Sequence, residues 1–293
     1  MNKVLFSIYR VVVPKPLRTV IVRKKLRREI LEYYPENGNI TEEQREVTRY
    51  LRDNQLCIFP YPFEKLYHPS LIEVFDDEAL GMRYTFLDGK RLYFKKRWSA
   101  GRIKRAFSDL LREQDPASPH RYLVPGFDIG PGDVIADIGA AEGNFTLSVI
   151  EKAKKSWMFE YSTEWAEALS ATFSPYKGKT EVVNWMVSEK DEPGCIMLDT
   201  FLNEHPEVNF LKIDVDGAEE VVMKGLSGTL KSKRPLRIAL CTYHKGGDEA
   251  LYTKLLRDSG FEVEHSAGYM IHYYDKSISA PWLRRGLIRA TRV

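Results

Sequence analysis

The sequence predicts an α/β protein: a mostly parallel, doubly wound sheet closed by a C-terminal antiparallel hairpin and preceded by an N-terminal α+β extension. Two observations predict the sheet. From Gly132 onward, apolar runs of strand length alternate with segments long enough for helices, which calls for a parallel sheet covered on both faces. After the last helix, Phe261–His265 and Tyr269–Tyr274 are separated only by Ser266-Ala267-Gly268. So short a link cannot make a parallel crossover, so the pair is expected to be antiparallel. A third observation marks the extension: upstream of residue 120 the pattern is helical, then strand-like, then helical again, without that alternation.

In chain order, Leu17 to Tyr34 reads as a basic helix with Val20, Ile21, Leu26, Ile30, Leu31 and Tyr34 at helical spacing. A second helix starts at Thr41, where Gln44 three residues on completes a capping box and Glu42 and Glu43 suit the positive end of the dipole. Residues 55–70, rich in proline and aromatics, read as irregular. Met82–Leu87 and Lys90–Phe94 flank Asp88-Gly89, a two-residue hairpin turn. Ile103, Phe107, Leu110 and Leu111 mark a third helix. Then come the strands Val134–Gly139, Trp157–Tyr161, Val182–Val187, Phe210–Val215 and Leu236–Tyr243. The helices between and after them are Asn144–Lys154, Thr163–Phe173, Ala218–Leu230 and Asp248–Ser259. The division expected is an extension over residues 1–120 and an α/β domain over 121–293.

The chain has 293 residues, 43% of them hydrophobic, enough for an ordinary core. Forty-four Lys and Arg against forty-one Asp and Glu leave +3, a balance unsuited to a surface built wholly to neutralise nucleic acid phosphates. The charge is uneven: residues 1–28 carry nine basic side chains and no acid, residues 276–293 five and no acid, and the body between them sums to −11. Basic ends beside apolar residues favour weak peripheral contact with an anionic membrane surface, the alternative being plain solvated ends. Without aromatic interleaving, RNA ranks last among their partners. Three dispersed cysteines, Cys57, Cys195 and Cys241, suggest a reducing compartment, hence cytoplasm, with the inner face of the membrane as its extension. The apolar run Val4 to Val13, broken by Arg10, is half the ~20 residues of a spanning helix and makes a poor signal peptide.

The first strand of the regular half runs into Asp137-Ile138-Gly139-Ala140-Ala141-Glu142-Gly143-Asn144-Phe145. In a doubly wound sheet such a turn is where a ligand sits. A dinucleotide fingerprint would need glycine at 139, 141 and 144, and only Gly139 complies. Glu142 would also set a carboxylate where a pyrophosphate binds. S-Adenosylmethionine has no phosphate and carries a sulfonium and an ammonium, so carboxylates there suit it. Glu160, ending the second strand 23 residues after Asp137, is placed to accept ribose hydroxyls.

These residues resemble the FkbM family of S-adenosylmethionine-dependent methyltransferases, over about Gly132 to Tyr274. Val134–Ala140 looks like its first motif and Phe159-Glu160 like its second. Phe210-Leu211-Lys212-Ile213-Asp214-Val215-Asp216-Gly217-Ala218-Glu219 resembles its fourth-strand signature KIDVEGAE, with Leu198-Asp199-Thr200-Phe201 ahead of it. Asp216 stands where Glu is usual and Thr200 where a second Asp is common. Glu113-Gln114-Asp115 and Ser118-Pro119-His120-Arg121-Tyr122 resemble an extension of bacterial members linked to surface polysaccharides. The resemblance implies a Rossmann-like class I methyltransferase fold and O-methylation of a hydroxyl on a carbohydrate or glycan acceptor. It places S-adenosylmethionine against Asp137, Gly139, Ala140, Glu142, Gly143, Asn144, Phe145, Glu160, Tyr161 and Trp185. A noncatalytic binding protein of the same fold, or an RNA methyltransferase, are the competing readings.

A sugar hydroxyl is barely acidic, so its methylation needs a base at the carboxyl ends of the fourth and fifth strands. His244 is the preferred base because an imidazole titrates near neutrality, and Asp214 is expected to face cofactor or acceptor. The alternative for His244 is a loop or core histidine, and for Asp214 a helix cap. Lys212, in a strand covered on both faces, needs an acidic neighbour, with Glu219 or Asp199 expected. Asp214 and Asp216 raise a divalent ion, but Gly217 suggests the strand is already turning, so no metal site is assigned. Trp185 and Met186 either pack on the adenine or are core. His120 to Tyr122 read as a proline-bounded linker with an exposed Arg, the alternative being a cover for the cofactor or a contact to an anionic sugar.

Overall fold

The computed structural model describes residues 15–293, so the apolar run Val4 to Val13 and the basic side chains before residue 15 lie outside the described residues. The extension contains α1 (Lys15–Tyr33), α2 (Glu42–Asp53), a three-stranded antiparallel sheet β1 (Phe75–Asp77), β2 (Met82–Leu87) and β3 (Lys90–Tyr93), and α3 (Ala100–Glu113). The Thr41/Gln44 capping box forms at the start of α2. Asp88-Gly89 turns β2 into β3, with Leu87 opposite Lys90.

Downstream come β4 (Val134–Ile138), α4 (Asn144–Val149), β5 (Lys155–Phe159), α5 (Thr163–Thr172), β6 (Thr180–Val183), β7 (Met186–Ser188), β8 (Cys195–Met197), α6 (Leu198–Glu204) and β9 (Phe210–Ile213). Then follow α7 (Glu219–Lys224), α8 (Ser227–Lys231), β10 (Leu236–Cys241), α9 (Asp248–Asp258), β11 (Glu262–His265) and β12 (Leu287–Arg292). Seven of these strands form one sheet in the order β11-β12-β10-β9-β4-β5-β6. Its inner neighbours are parallel, and β12 runs antiparallel to both β10 and β11.

The structure corrects the expected hairpin. Phe261–His265 does not pair with Tyr269–Tyr274; β11 pairs with β12, and the 269–274 segment contributes only a bridge between Met270 and Arg284. The last part of the C-terminal basic stretch, Leu287–Arg292, is therefore an inner strand rather than a solvated end. Its arginines are hidden because Arg289 donates to the carbonyls of Tyr122 and Arg121, and Arg292 to those of Arg234, Leu230, Ser259 and Thr229. Buried guanidinium is tolerable only with such partners. Three expected elements are shorter than the pattern: α4 stops at Val149, the third strand divides into β6 and β7, and Ala218–Leu230 divides into α7 and α8 at Gly225. A Cβ at Gly225 would lie 2.1 Å from the Ser188 carbonyl oxygen, so the break brings two backbones together.

Strand alternation assigns the sheet two faces. Val134, Ala136, Ile138, Leu211, Ile213, Ile238 and Leu240 pack with the helices after β8 and β9. Ile135, Phe210, Ala239 and Cys241 face the other way, against Leu26, Ile30, Val47, Leu51, Phe59 and Tyr61 of the extension. The β2–β3 hairpin and α3 pack on α4 and α5 through Leu92, Phe94, Ile103 and Phe107. The extension thus covers a face of the sheet and shares its core. No helix among the described residues is long and apolar enough to cross a membrane.

Candidate active site

Strand order reverses between β4 and β9, and the crevice above their carboxyl ends is where this topology seats ligands. Gly139 leaves β4 there with φ +76°, and a Cβ on it would lie 2.0 Å from the Asp214 carbonyl oxygen. Gly143 caps α4 with φ +80°, and a Cβ on it would lie 2.6 Å from Leu169. Both positions need glycine for conformation and for space.

Asp137 and Lys212 are direct partners across β4 and β9. Lys212 Nζ lies 3.1 Å from Asp137 Oδ1 and donates to the Gly139 carbonyl at 2.7 Å, while Thr146 donates to Asp137 Oδ2 at 2.8 Å. Burial alone would lower the lysine, but Asp137 and then Asp214 outweigh it and raise it above the ordinary value. The acidic partner expected for Lys212 is therefore corrected to Asp137. Glu219 turns instead to His244, and Asp199 caps α8 by accepting from Gly228 and Thr229 N–H. Asp137, wholly buried, braces the turn from below and offers no surface to a ligand.

Glu160, almost fully buried at the end of β5, reaches under the turn: its carboxylate accepts from Ala141 N–H at 3.1 Å and Ser162 N–H at 2.7 Å. Glu142 is half-buried in the crevice, and burial pushes its carboxyl up to about 7. Ala140 is buried, Phe145 packs between Tyr122 and Phe210 in the core, and Asn144 lines a separate cavity of about 330 Å³ against α3. The Phe145 ring packs on Tyr122 and Phe210 and lines the same cavity as Asn144. Tyr161 and Trp185 are exposed at 72% and 48%, which excludes plain core for either.

His244 follows β10 and is buried. Its Nδ1 lies 2.9 Å from Glu219 Oε1; its Nε2 lies 3.7 Å from both Asp214 Oδ1 and Asp216 Oδ1. Burial would lower its pKa, but Glu219, then Asp214 and Asp216, raise it above the usual histidine value. Arg284 holds the loop by donating to the Tyr243 and His244 carbonyls. His272, edge-on to His244 at 5.4 Å, is pushed down to about 4, by burial first and the His244 charge second.

Asp214 accepts from Tyr122 Oη at 2.7 Å and lies 3.5 Å from His120 Nε2. Burial opposes its ionisation, yet the His120 contact and the Lys212 charge hold it far below the carboxylate range. His120 and Tyr122 are buried, so the linker reading of residues 120–122 is corrected: Arg289 and Gln114 anchor this segment beneath the crevice. Glu113, the last residue of α3, adds a further carboxylate here, held up by burial and by Asp214 and Glu142. The resemblance of Glu113-Gln114-Asp115 marked the segment without a role for it; only α3 packing beside the crevice brings Glu113 near Asp214 and Glu142. Among the described residues two donor sets lie within 4.8 Å, His120/Asp214/Cys241 and Asp214/Glu219/His244. As both share an Asp214 already engaged by Tyr122, chelation with EDTA is expected to leave turnover unchanged. Loss restored by Mg²⁺ or Zn²⁺ would place an ion here.

Residues 138–263 match the methyltransferase FkbM domain family. They form an FkbM methyltransferase domain. No curated protein matches the chain. Among solved structures it is similar to the methyltransferase FkbM from Methylobacillus flagellatus, at 13% identity and TM-score 0.43, covering 87% of this chain and 63% of that one. It also resembles an rRNA methylase from Streptococcus thermophilus, at 15% identity and TM-score 0.38 over 56% of this chain and 89% of that one. A precorrin 8w decarboxylase from Methanobacterium thermoautotrophicum matches at 14% and 0.38, covering 56% and 83%. The match places the FkbM domain over β4's last residue through β11, the span that carries the glycine turn, Asp214 and His244.

Proposed function

We propose that this protein transfers a methyl group from S-adenosylmethionine to a hydroxyl of a carbohydrate or glycan-type acceptor, with His244 as the base. The observation that carries the donor reading is that Glu142 and Glu160 line the Gly139–Gly143 turn and neither carboxylate has a side-chain cation within 4.0 Å among the described residues, since Lys212 beneath the turn is spent on Asp137 and the Gly139 carbonyl. A cationic nucleoside fits such a donor set, whereas a pyrophosphate would be repelled. The cradle agrees, since a Cβ at Gly139 or Gly143 would close the turn. When bound, the donor supplies an activated methyl on a sulfonium with a good leaving group.

The chain's own residues then have separable tasks. Gly139 to Gly143 and Glu160 hold the nucleoside, and holding two reactants in line can supply ~7–11 kcal/mol of the barrier. Glu219, close to Nδ1, favours the tautomer that leaves His244 Nε2 free to accept the hydroxyl proton. The Asp214, Asp216 and Glu219 carboxylates stabilise the imidazolium that results. Asp214 is itself held by Tyr122 and His120.

Glu160→Ala is expected to weaken binding of donor and spent thioether by ~10-fold or more, as charge-assisted hydrogen bonds to ribose are lost. Calorimetry with S-adenosylhomocysteine measures it; unchanged affinity would remove Glu160 from the site. A cation also favours ionised Glu142, so binding should tighten as pH rises toward about 7, with a proton released below it. Binding without labelled methyl transfer to any glycan fraction would favour a noncatalytic protein. Transfer to RNA with steep salt dependence would favour the RNA reading.

Peripheral membrane contact is proposed for α1, where Val20, Ile21 and Val22 are exposed beside basic residues. Co-sedimentation with phosphatidylserine vesicles is expected at 0.05 M salt and to fall several-fold at ~0.5 M. Equal recovery with neutral vesicles would refute it.

A further inference from the structure

A cavity of about 390 Å³ lies beside the loop that follows β10, away from the glycine turn. Its walls include Lys245, Glu249, Ser277, Trp282, Arg284 and Arg285. We propose that this cavity is the acceptor subsite and takes a sugar ring bearing an anionic group, carboxylate or phosphate, against Lys245. The inference rests on the carbohydrate reading above and specifies its substrate class.

Three observations carry it. Trp282 is held at φ +56°, a region bulky residues avoid, with its N–H donating to Ser279 and its ring edge-on to Tyr33 at 5.3 Å. Strain of this kind collects at ligand-binding positions. It sets a half-buried indole into a wall that also carries hydroxyls, the mixture of apolar face and polar rim that a pyranose presents.

The charges of the cavity are spent except one. Arg284 pairs with Asp275 at 2.6 Å, and Arg285 makes a two-pronged pair with Glu43 at 2.7 and 2.8 Å. Glu249 lies 3.8 Å from His265 and within the field of Arg285. Lys245 is exposed, and its Nζ has no carboxylate within 4.0 Å among the described residues: Asp248 accepts from its backbone N–H, and the ammonium acts on Asp248 and Glu220 only at longer range. An anion on the ligand is the partner its position leaves open.

The cavity adjoins the reacting centre. A Cβ on Gly217 would lie 3.6 Å from Lys245 Cε and 3.7 Å from His244 Cβ. Lys245 therefore reaches over the Asp216-Gly217 turn, next to the base. Arg284, which also lines the cavity, donates to the carbonyls of Tyr243 and His244, so the cavity wall and the base are held by one side chain.

The test is a ligand-detected NMR titration of the full chain, saturated with S-adenosylhomocysteine, using glucose, glucuronic acid and glucose 6-phosphate. At least one charged sugar should bind roughly fivefold or more tighter than glucose, and the one that does so names the anion. Lys245→Gln, an exposed change, should abolish that advantage, while Trp282→Ala should weaken all three sugars alike. Equal binding of the three, an advantage that survives Lys245→Gln, or no sugar binding by a protein that does bind S-adenosylhomocysteine overturns the proposal. If S-adenosylhomocysteine itself fails to bind, the donor reading falls instead, and the acceptor subsite with it.

Discussion

Replacing His244 with alanine is expected to lower the turnover of methyl transfer by ~10²–10⁴-fold, the usual contribution of a positioned base, while leaving donor affinity unchanged. The split follows from position: His244 stands at the end of β10 among Asp214, Asp216 and Glu219, whereas the glycine turn and Glu160 lie at the ends of β4 and β5. The pH profile gives an independent reading. The carboxylates favour the imidazolium, and only neutral imidazole accepts a proton, so turnover should rise with pH through a value above the ordinary histidine range and be lost below it. Glu219→Gln removes a charge that raises that pKa, so the limb should move to lower pH. Full turnover in the alanine variant, with an unmoved limb, would take His244 out of the chemistry.

Lys212→Met is the second large effect, and it concerns stability. Asp137 is wholly buried and keeps only Thr146 as a side-chain partner once the ammonium is gone. Breaking a buried pair on one side costs ~3–5 kcal/mol because the remaining charge is uncompensated. The Gly139 carbonyl also loses its donor, so the glycine turn should loosen and donor affinity fall with stability. Urea unfolding measures the first and calorimetry the second. The double change Asp137→Leu with Lys212→Met should recover much of the stability, since neither charge is then stranded. A loss under ~1 kcal/mol in the single variant would show that the pair is solvated.

Much of the fold was legible because its signals are local. Asp88-Gly89 between alternating apolar residues, the Thr41/Gln44 box and the apolar runs of β4, β5, β9 and β10 each depend on neighbours a few residues apart. The last strand was not legible. Leu287–Arg292 carries two arginines where an inner strand normally reads as apolar, and these are satisfied by carbonyls of residues 121, 122, 229, 230, 234 and 259. No window of sequence reveals such partners. The site divides likewise: Gly139, Glu142, Glu160, Asp214 and His244 stood out from strand ends and turn chemistry, but the contacts of His120, Tyr122 and Glu113 with the site did not, because α3 and the segment after it precede the first strand and only packing brings them to the crevice.

The residue pattern by itself determined the alternating strands and helices, the glycine turn with its carboxylates and the acid and imidazole at two strand ends, since periodicity and turn geometry act within a few residues. Only the tertiary structure decided which charges meet. Asp137 pairs with Lys212 because β9 lies beside β4, 75 residues away in the chain and on the same face of the sheet. Strand order is set by which faces bury best across the whole domain, and that sum over distant contacts is not contained in any one segment.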